Sequence, residues 1–312
     1  MQAPTASYVD YVIYKEADST KKSNLPPDKK AQLMRQLRFE KTNNQFTSSV
    51  LPKTESQHMM RLCITDNVKD HMQMQREVNL GRMVWTRWRL QTSAVFDKEV
   101  SYGSRSPNPR PFFIYEPRGL TLQELLTLSK TNSVDINTAR HITVGILHTV
   151  RVLHHFGYVH RCVDTTTFGL KKDFNGKILS DAVQCHSLWY ARKYRNNKVR
   201  RRGPFIGSYL FSSLEAMSGI EQLPNDDMIS AMYIFLCLCF GYLPWMKPKT
   251  TNGIWNKKSA FQSNPSWFPS RSNVSYNING IAEAFEAISS YNSLLPNQKI
   301  YAKLTEILKK NC

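Results

Sequence analysis

Gly207 to Trp245 reads GSYLFSSLEAMSGIEQLPNDDMISAMYIFLCLCFGYLPW. Asp226 and Asp227 follow the turn-forming Leu223-Pro224-Asn225. That is where carboxylates meet the unpaired N–H groups of a helix start. From Met228 to Phe240 the run carries no charge, and Gly241 ends it abruptly. The run is too short for a membrane span. It predicts a helix apolar all round, buried at the centre of a sizeable domain.

A chain of 312 residues forms one large two-lobed domain or two smaller ones, and 41% hydrophobic content supports a substantial core. Six cysteines show no CxxC pair, and two lie inside the apolar run. That usage predicts a reduced protein inside the cell, cytoplasmic or nuclear, and excludes a disulfide framework or a zinc site. No basic stretch followed by an apolar core opens the chain, so no secretory signal is expected. The net charge of +18 favours acidic partners: phosphoproteins, acidic tails, nucleic acid or anionic membrane. A generally basic solvated surface explains the charge equally well, and no motif of ordered aromatics marks a nucleic-acid site.

Residues 1–42 are polar, with a Lys/Asp/Pro-rich patch from Asp18 to Lys30, and read as an N-terminal extension carrying a short helix from Ala31. Met60 to Ile64 and Phe112 to Tyr115 predict strands, and His71 to Val84 a helix between them. Leu120 to Lys130 predicts a short helix. Asn137 or Thr138 caps a long one, with Ile142, Ile146, Val150 and Leu153 at near-helical spacing. Phe168 to Ser180 reads as two strands around a turn. Residues 247–275 are loop-rich, and Ile281 to Tyr291 and Gln298 to Lys310 predict two closing helices.

Gly219-Ile-Glu-Gln222, the Asp226-Asp227 pair, Ser230, Tyr233 and Gly241-Tyr-Leu-Pro-Trp245 resemble the casein kinase 1 superfamily. With Phe205-Ile206-Gly207 included, the tau-tubulin kinase branch is the nearest match. The order and spacing hold without a gap from Gly207 to Trp245, and the likeness extends over about 45–312. It implies an α+β, two-lobed protein-kinase-like fold spanning 43–312, with a small β-rich lobe to about 116 and a larger helical lobe over 117–312. It also implies that Asp227 holds the backbone of the loop around His160-Arg161.

Phosphoryl transfer needs positioning and charge stabilisation, so each part of its machinery can be sought separately. A Gly-rich loop lets backbone N–H groups approach phosphates, but no glycine precedes Gly81. The strand position of the phosphate-gripping Lys holds Cys63, and Arg61 lies about 7 Å away along the same face. Glu77 matches the helix Glu that would pair with that Lys. In the catalytic loop, His160 and Arg161 are followed by Cys162 in place of the proton-accepting Asp. Asp164 replaces the Lys, and Thr167 the metal-binding Asn. A Cys162 nucleophile lacks an evident activating base. For the metal-binding Asp of the next motif, Asp181 fits, because it lies 26 positions before Gly207 as in the family. A second register through Ala191-Arg192-Lys193-Tyr194 would put Ser187 there.

Arg192, Lys193, Arg195, Lys198, Arg200, Arg201 and Arg202 form a basic segment where the family binds anionic groups of its substrates. The expectation is a pseudokinase that binds or scaffolds phosphorylated or acidic proteins, including other kinases or their substrates, with no cofactor. One alternative is an atypical Ser/Thr kinase using ATP and Mg²⁺. Another is a basic module for nucleic acid or acidic tails.

Overall fold

The computed structural model describes residues 8–14, 38–41, 58–63, 67–88, 101–102, 111–115, 119–172, 178–195, 200–264, 279–291 and 298–310. In the small lobe, β1 (Tyr8–Tyr14), β2 (Arg38–Lys41), β3 (His58–Cys63), β4 (Ser101–Tyr102) and β5 (Pro111–Tyr115) form an antiparallel sheet in the order β2-β1-β3-β5-β4. Helix α1 (Val68–Trp88) lies between β3 and β4 in sequence. The boundary drawn at residue 42 is therefore corrected, because two strands of this sheet come from the stretch read as an extension. Tyr8 to Tyr14 is rich in Tyr, Val and Ile, which suit a pleated surface. It supplies β3 with a ladder partner, Tyr11 opposite Met60. The polar flanks had hidden that short signal. The helix expected from Ala31 lies outside the described residues.

The large lobe opens with β6 (Leu120–Thr121) and α2 (Leu122–Leu128), where Thr121 and Glu124 form a capping box. The long helix α3 (Ile136–His155) is capped by Asp135 instead of Asn137 or Thr138. Its carboxylate accepts both the Thr138 N–H at 3.0 Å and the Thr138 hydroxyl at 2.5 Å, so Asp135 satisfies the helix start better than either candidate. Next come β7 (Tyr158–Val159), β8 (Phe168–Lys172), β9 (Ile178–Cys185) and β10 (Arg192–Lys193). Strand β8 pairs with β6 and β9, and β7 with β10. Helices α4 (Leu214–Met217) and α5 (Pro224–Phe240) follow.

Helix α5 is buried nearly all round and packs on the Ile142–Ile146–Val150 stripe of α3. Gly241 ends it at φ +70°, and a Cβ there would stand 2.6 Å from the Asn132 carbonyl oxygen. Left-handed backbone and close approach both require glycine at this point. Tyr233 on α5 meets Trp245 edge-on at 4.8 Å between ring centres, with Phe261 and Phe285 completing an aromatic cluster.

The stretch 247–275, read as loop-rich, contains a helix, α6 (Thr251–Ser263). Its composition of Asn, Gly, Lys and Ser masks a face on which Lys258 and Phe261 are buried. The Lys258 ammonium sits 4.8 Å from the Tyr233 ring centre and donates to the Ser212 carbonyl at 2.5 Å; burial pulls its pKa well below the usual lysine value. Helices α7 (Asn279–Ser289) and α8 (Lys299–Lys310) close the chain, within two residues of the expected spans. No helix among the described residues is long and apolar enough to cross a membrane.

Candidate functional site

The loop from His160 to Thr167 is held between α5, β9 and α2. From α5, Asp227 accepts the backbone N–H of His160 at 2.6 Å and of Arg161 at 2.9 Å. Arg161 adopts φ +70°, a left-handed conformation rare for a non-glycine residue. Asp227 also accepts from the Nε2 of His154 on α3 at 2.8 Å, and the other ring nitrogen of His154 meets the Tyr301 hydroxyl of α8. Burial opposes the charge on Asp227, but the hydrogen bonds from His154 and from the His160 N–H outweigh it. Its pKa ends below the usual carboxylate value. Gly207 packs against the same loop at φ +124°, where a Cβ would meet the Arg161 carbonyl oxygen at 2.8 Å.

His160 is buried, and burial holds its pKa below 6.5. Its Nδ1 accepts from the Cys162 N–H at 3.3 Å, which assigns the ring proton to Nε2, 3.2 Å from the Cys185 sulfur. The Cys185 thiol donates onward to the Ser187 carbonyl at 3.3 Å. A chain of weak bonds thus joins the loop to the end of β9.

Cys162 is 8% exposed, and its thiol donates to Asp164 at 3.3 Å. Burial, then the Asp164 charge, raises its pKa well above the ordinary thiol value, so the sulfur stays protonated. Asp164 faces its own turn. Its Oδ1 accepts from the Thr166 N–H at 2.8 Å, the Thr166 hydroxyl at 2.6 Å and the Thr167 N–H at 2.9 Å. The Thr167 hydroxyl donates to the Cys162 carbonyl at 2.6 Å and accepts from the Asp164 N–H at 3.2 Å. Cys162, Asp164 and Thr167 close the loop on itself, and Gln123 of α2 fastens its flank through Thr165.

Asp181 lies within β9, four residues before the strand ends at Cys185, which pairs with Phe168. The loop after the strand opens with His186 and contains Ser187, in the register of Ala191-Arg192-Lys193-Tyr194. Asp181 is thus a strand residue, whereas Ser187 lies in the loop. Ser187 lies 20 positions before Gly207, six fewer than Asp181. Loop length can vary where a strand end cannot. The Ser187 hydroxyl donates to Glu77 of α1 at 3.0 Å, and the Leu188 N–H donates to the same oxygen at 2.7 Å. Gln73, one turn earlier, donates to the Trp189 carbonyl. Glu77 therefore binds the segment after β9. The side chain of Cys63, at the end of β3, lies outside the described residues.

The basic segment divides into two kinds of residue. Arg192, Lys193, Arg195, Arg201 and Arg202 are exposed, and Lys198 lies outside the described residues. Arg200 is engaged in the fold: its guanidinium bonds to Asp226 at 2.9 Å, to Glu215, and to the Glu221 carbonyl at 2.9 Å. Its expected place among the anion-binding residues is corrected accordingly. Arg192 pairs with Val159, two residues before Arg161, whose half-buried guanidinium has its pKa lowered by burial and by the Arg192 charge. His154, Cys185 and Lys258 had no sequence signal: a histidine, a cysteine and a lysine gain these roles only from partners distant in the chain.

No protein-family model matches the chain. Among solved structures it is similar to that of vaccinia related kinase 3, with a TM-score of 0.64 and 18% identity over 81% of this chain and 78% of that one. At that identity the likeness shows the fold: α+β, two-lobed and protein-kinase-like.

Proposed function

We propose that this chain is a catalytically silent relative of casein kinase 1-type, tau-tubulin-like kinases that works by binding proteins, not by phosphorylating them. The observation that carries the reading is the self-closed loop. The thiol of Cys162, at the position of the proton acceptor, donates to Asp164, and Asp164 is occupied by its own turn. A general base contributes about 10²–10⁴ in rate, and a protonated buried thiol cannot supply it. The residues do not fit a magnesium-bound nucleotide either. Mg²⁺ prefers carboxylates, and the two corresponding positions hold hydroxyls already engaged, Thr167 with Cys162 and Ser187 with Glu77.

The exposed side chains of Arg192, Lys193, Arg195, Arg201 and Arg202 support recognition of phosphorylated or acidic proteins, among them kinases or their substrates. Thermal unfolding with ATP, with and without Mg²⁺, tests the first half. Saturation at 100 times Kd would stabilise by about 2.7 kcal/mol; the expected result is no shift. A shift accompanied by Mg²⁺-dependent transfer of labelled phosphate to casein would overturn the reading. For the second half, an Arg201→Ala/Arg202→Ala variant should bind phosphopeptides more weakly than wild type. Wild-type binding should also weaken from low to high salt; equal, salt-independent binding would remove this surface from the proposal.

A further inference from the structure

Residues 200–203 are zipped to residues 219–221. Glu221 N–H donates to the Arg201 carbonyl at 2.8 Å, Gly203 N–H to the Gly219 carbonyl at 2.8 Å, and Arg202 bridges Ile220. At the head of this zipper, Arg200 reaches into the start of α5 and pairs with Asp226 at 2.9 Å. Asp226 is 4% exposed. Its carboxylate also accepts from the Ser213 hydroxyl at 2.5 Å and from the Leu223 N–H at 2.7 Å. Two charged groups face it: Arg200 from the segment and Glu215 from α4, itself paired with the same guanidinium. On α5, Asp227 turns its carboxylate the other way, to His154 and the His160 loop.

We propose that the Arg200–Asp226 contact is a proton-operated clamp: protonation of Asp226 loosens the zipped segment at Arg200 while α5 stays folded. Asp226 is fixed by the helix start whether or not Arg200 is in place, because its hydrogen bonds to Leu223 and Ser213 belong to the large lobe itself. With the guanidinium withdrawn, a buried carboxylate facing Glu215 holds its proton more tightly. Acid therefore favours the withdrawn state. Burial already raises the Asp226 pKa to about 6, so the transition falls in a range that cells reach. The clamp acts on how the exposed arginines next to it are presented, and it stands whatever those arginines bind.

Amide hydrogen exchange at Gly203 and Glu221, corrected for the intrinsic pH dependence of exchange, tests it between pH 7.5 and pH 5. Protection of these amides should fall about tenfold for each pKa unit by which Arg200 holds the Asp226 carboxyl down. Amides in the middle of α5 should keep theirs. Asp226→Asn should give low protection at both pH values. Arg200→Gln should do the same while leaving the core untouched, and it carries the test if the first variant fails to fold. Unchanged or greater protection in the wild type at pH 5 overturns the proposal. So does an Arg200→Gln protein that keeps the wild-type pH dependence.

Discussion

Two buried aspartates serve the same loop from opposite sides. Asp227 reaches it from α5, far along the chain, and takes the N–H groups of His160 and Arg161 together with His154. Asp164 lies within the loop and takes the N–H groups of Thr166 and Thr167, a hydroxyl and a thiol. The first arrangement ties helix, loop and α8 into one body; the second only stabilises a turn. A scaffold that positions a loop can thus survive intact while the groups that loop presents are turned inward.

The largest effect should come from breaking the long-range anchor. Asp227→Ala leaves His154 and two buried N–H groups without their acceptor. Loss of a buried charged partner costs about 3–5 kcal/mol, a large share of the stability of an ordinary domain. A urea melt should show the midpoint falling steeply or the protein failing to fold. Wild-type stability would mean that the loop is held elsewhere.

Asp164→Ala should cost less, about 1–3 kcal/mol. Its donors sit near the surface of a turn that water can reach once the carboxylate is gone. If the two substitutions cost the same, the contrast between anchor and turn fails. Combining them in a double-mutant cycle measures the coupling through the loop, expected at about 0.5–3 kcal/mol for residues sharing one hydrogen-bonded loop.

This contrast also explains what could be read in advance. The apolar run from Met228 to Phe240, its Asp pair and its Gly241 stop are local signals, and α5 follows them closely. Cys162, Asp164 and Thr167 could be singled out by position, but not that Asp164 would turn inward; that depends on a hydrogen-bonded turn with no periodic signature. The Asp181 assignment rested on a loop length, which packing does not constrain, whereas the end of β9 is set by its ladder with β8. Likewise the arginine run looked uniform in sequence. Only the fold brings Glu215 and Asp226 against one member of it.

The neighbouring Asp226 and Asp227 sharpen the comparison through pH. Asp226 has a folded pKa of about 6, above its ordinary 3.8, so the fold binds its proton more tightly than the unfolded chain does. Its contribution to stability therefore grows as pH falls through 6 toward 4. Between pH 7.5 and 5 the gain is about 1.4 kcal/mol. Asp227 and His160 work in the opposite sense, since acid opposes a carboxylate held ionised and a histidine held neutral. Comparing the wild type with Asp226→Asn at both pH values cancels those terms. The stability difference should shift in favour of the wild type at pH 5. A shift the other way would mean that the Asp226 charge is stabilising in the fold, against the burial that surrounds it.

The smallest effect is expected at Cys162, the residue on which the proposed loss of chemistry turns. Cys162 makes one weak thiol bond to Asp164, and its neighbours are satisfied without it. Cys162→Ser keeps the donor and the size, so it should alter stability by less than about 1 kcal/mol, within the scatter of conservative replacements. Its reactivity is the more sensitive readout. A nucleophilic cysteine would be a thiolate near neutral pH, but burial and Asp164 both oppose that charge. Alkylation of Cys162 by iodoacetamide at pH 7.5 should therefore be slow in the native protein and become fast only on unfolding. Asp164→Asn removes the repelling charge but not the burial, so it should raise the rate without bringing it to that of an exposed thiol. Rapid native-state labelling of Cys162 would show that the loop opens far more readily than its closed hydrogen bonding allows, and the proposal that its inward-turned groups keep the site silent would lose its support.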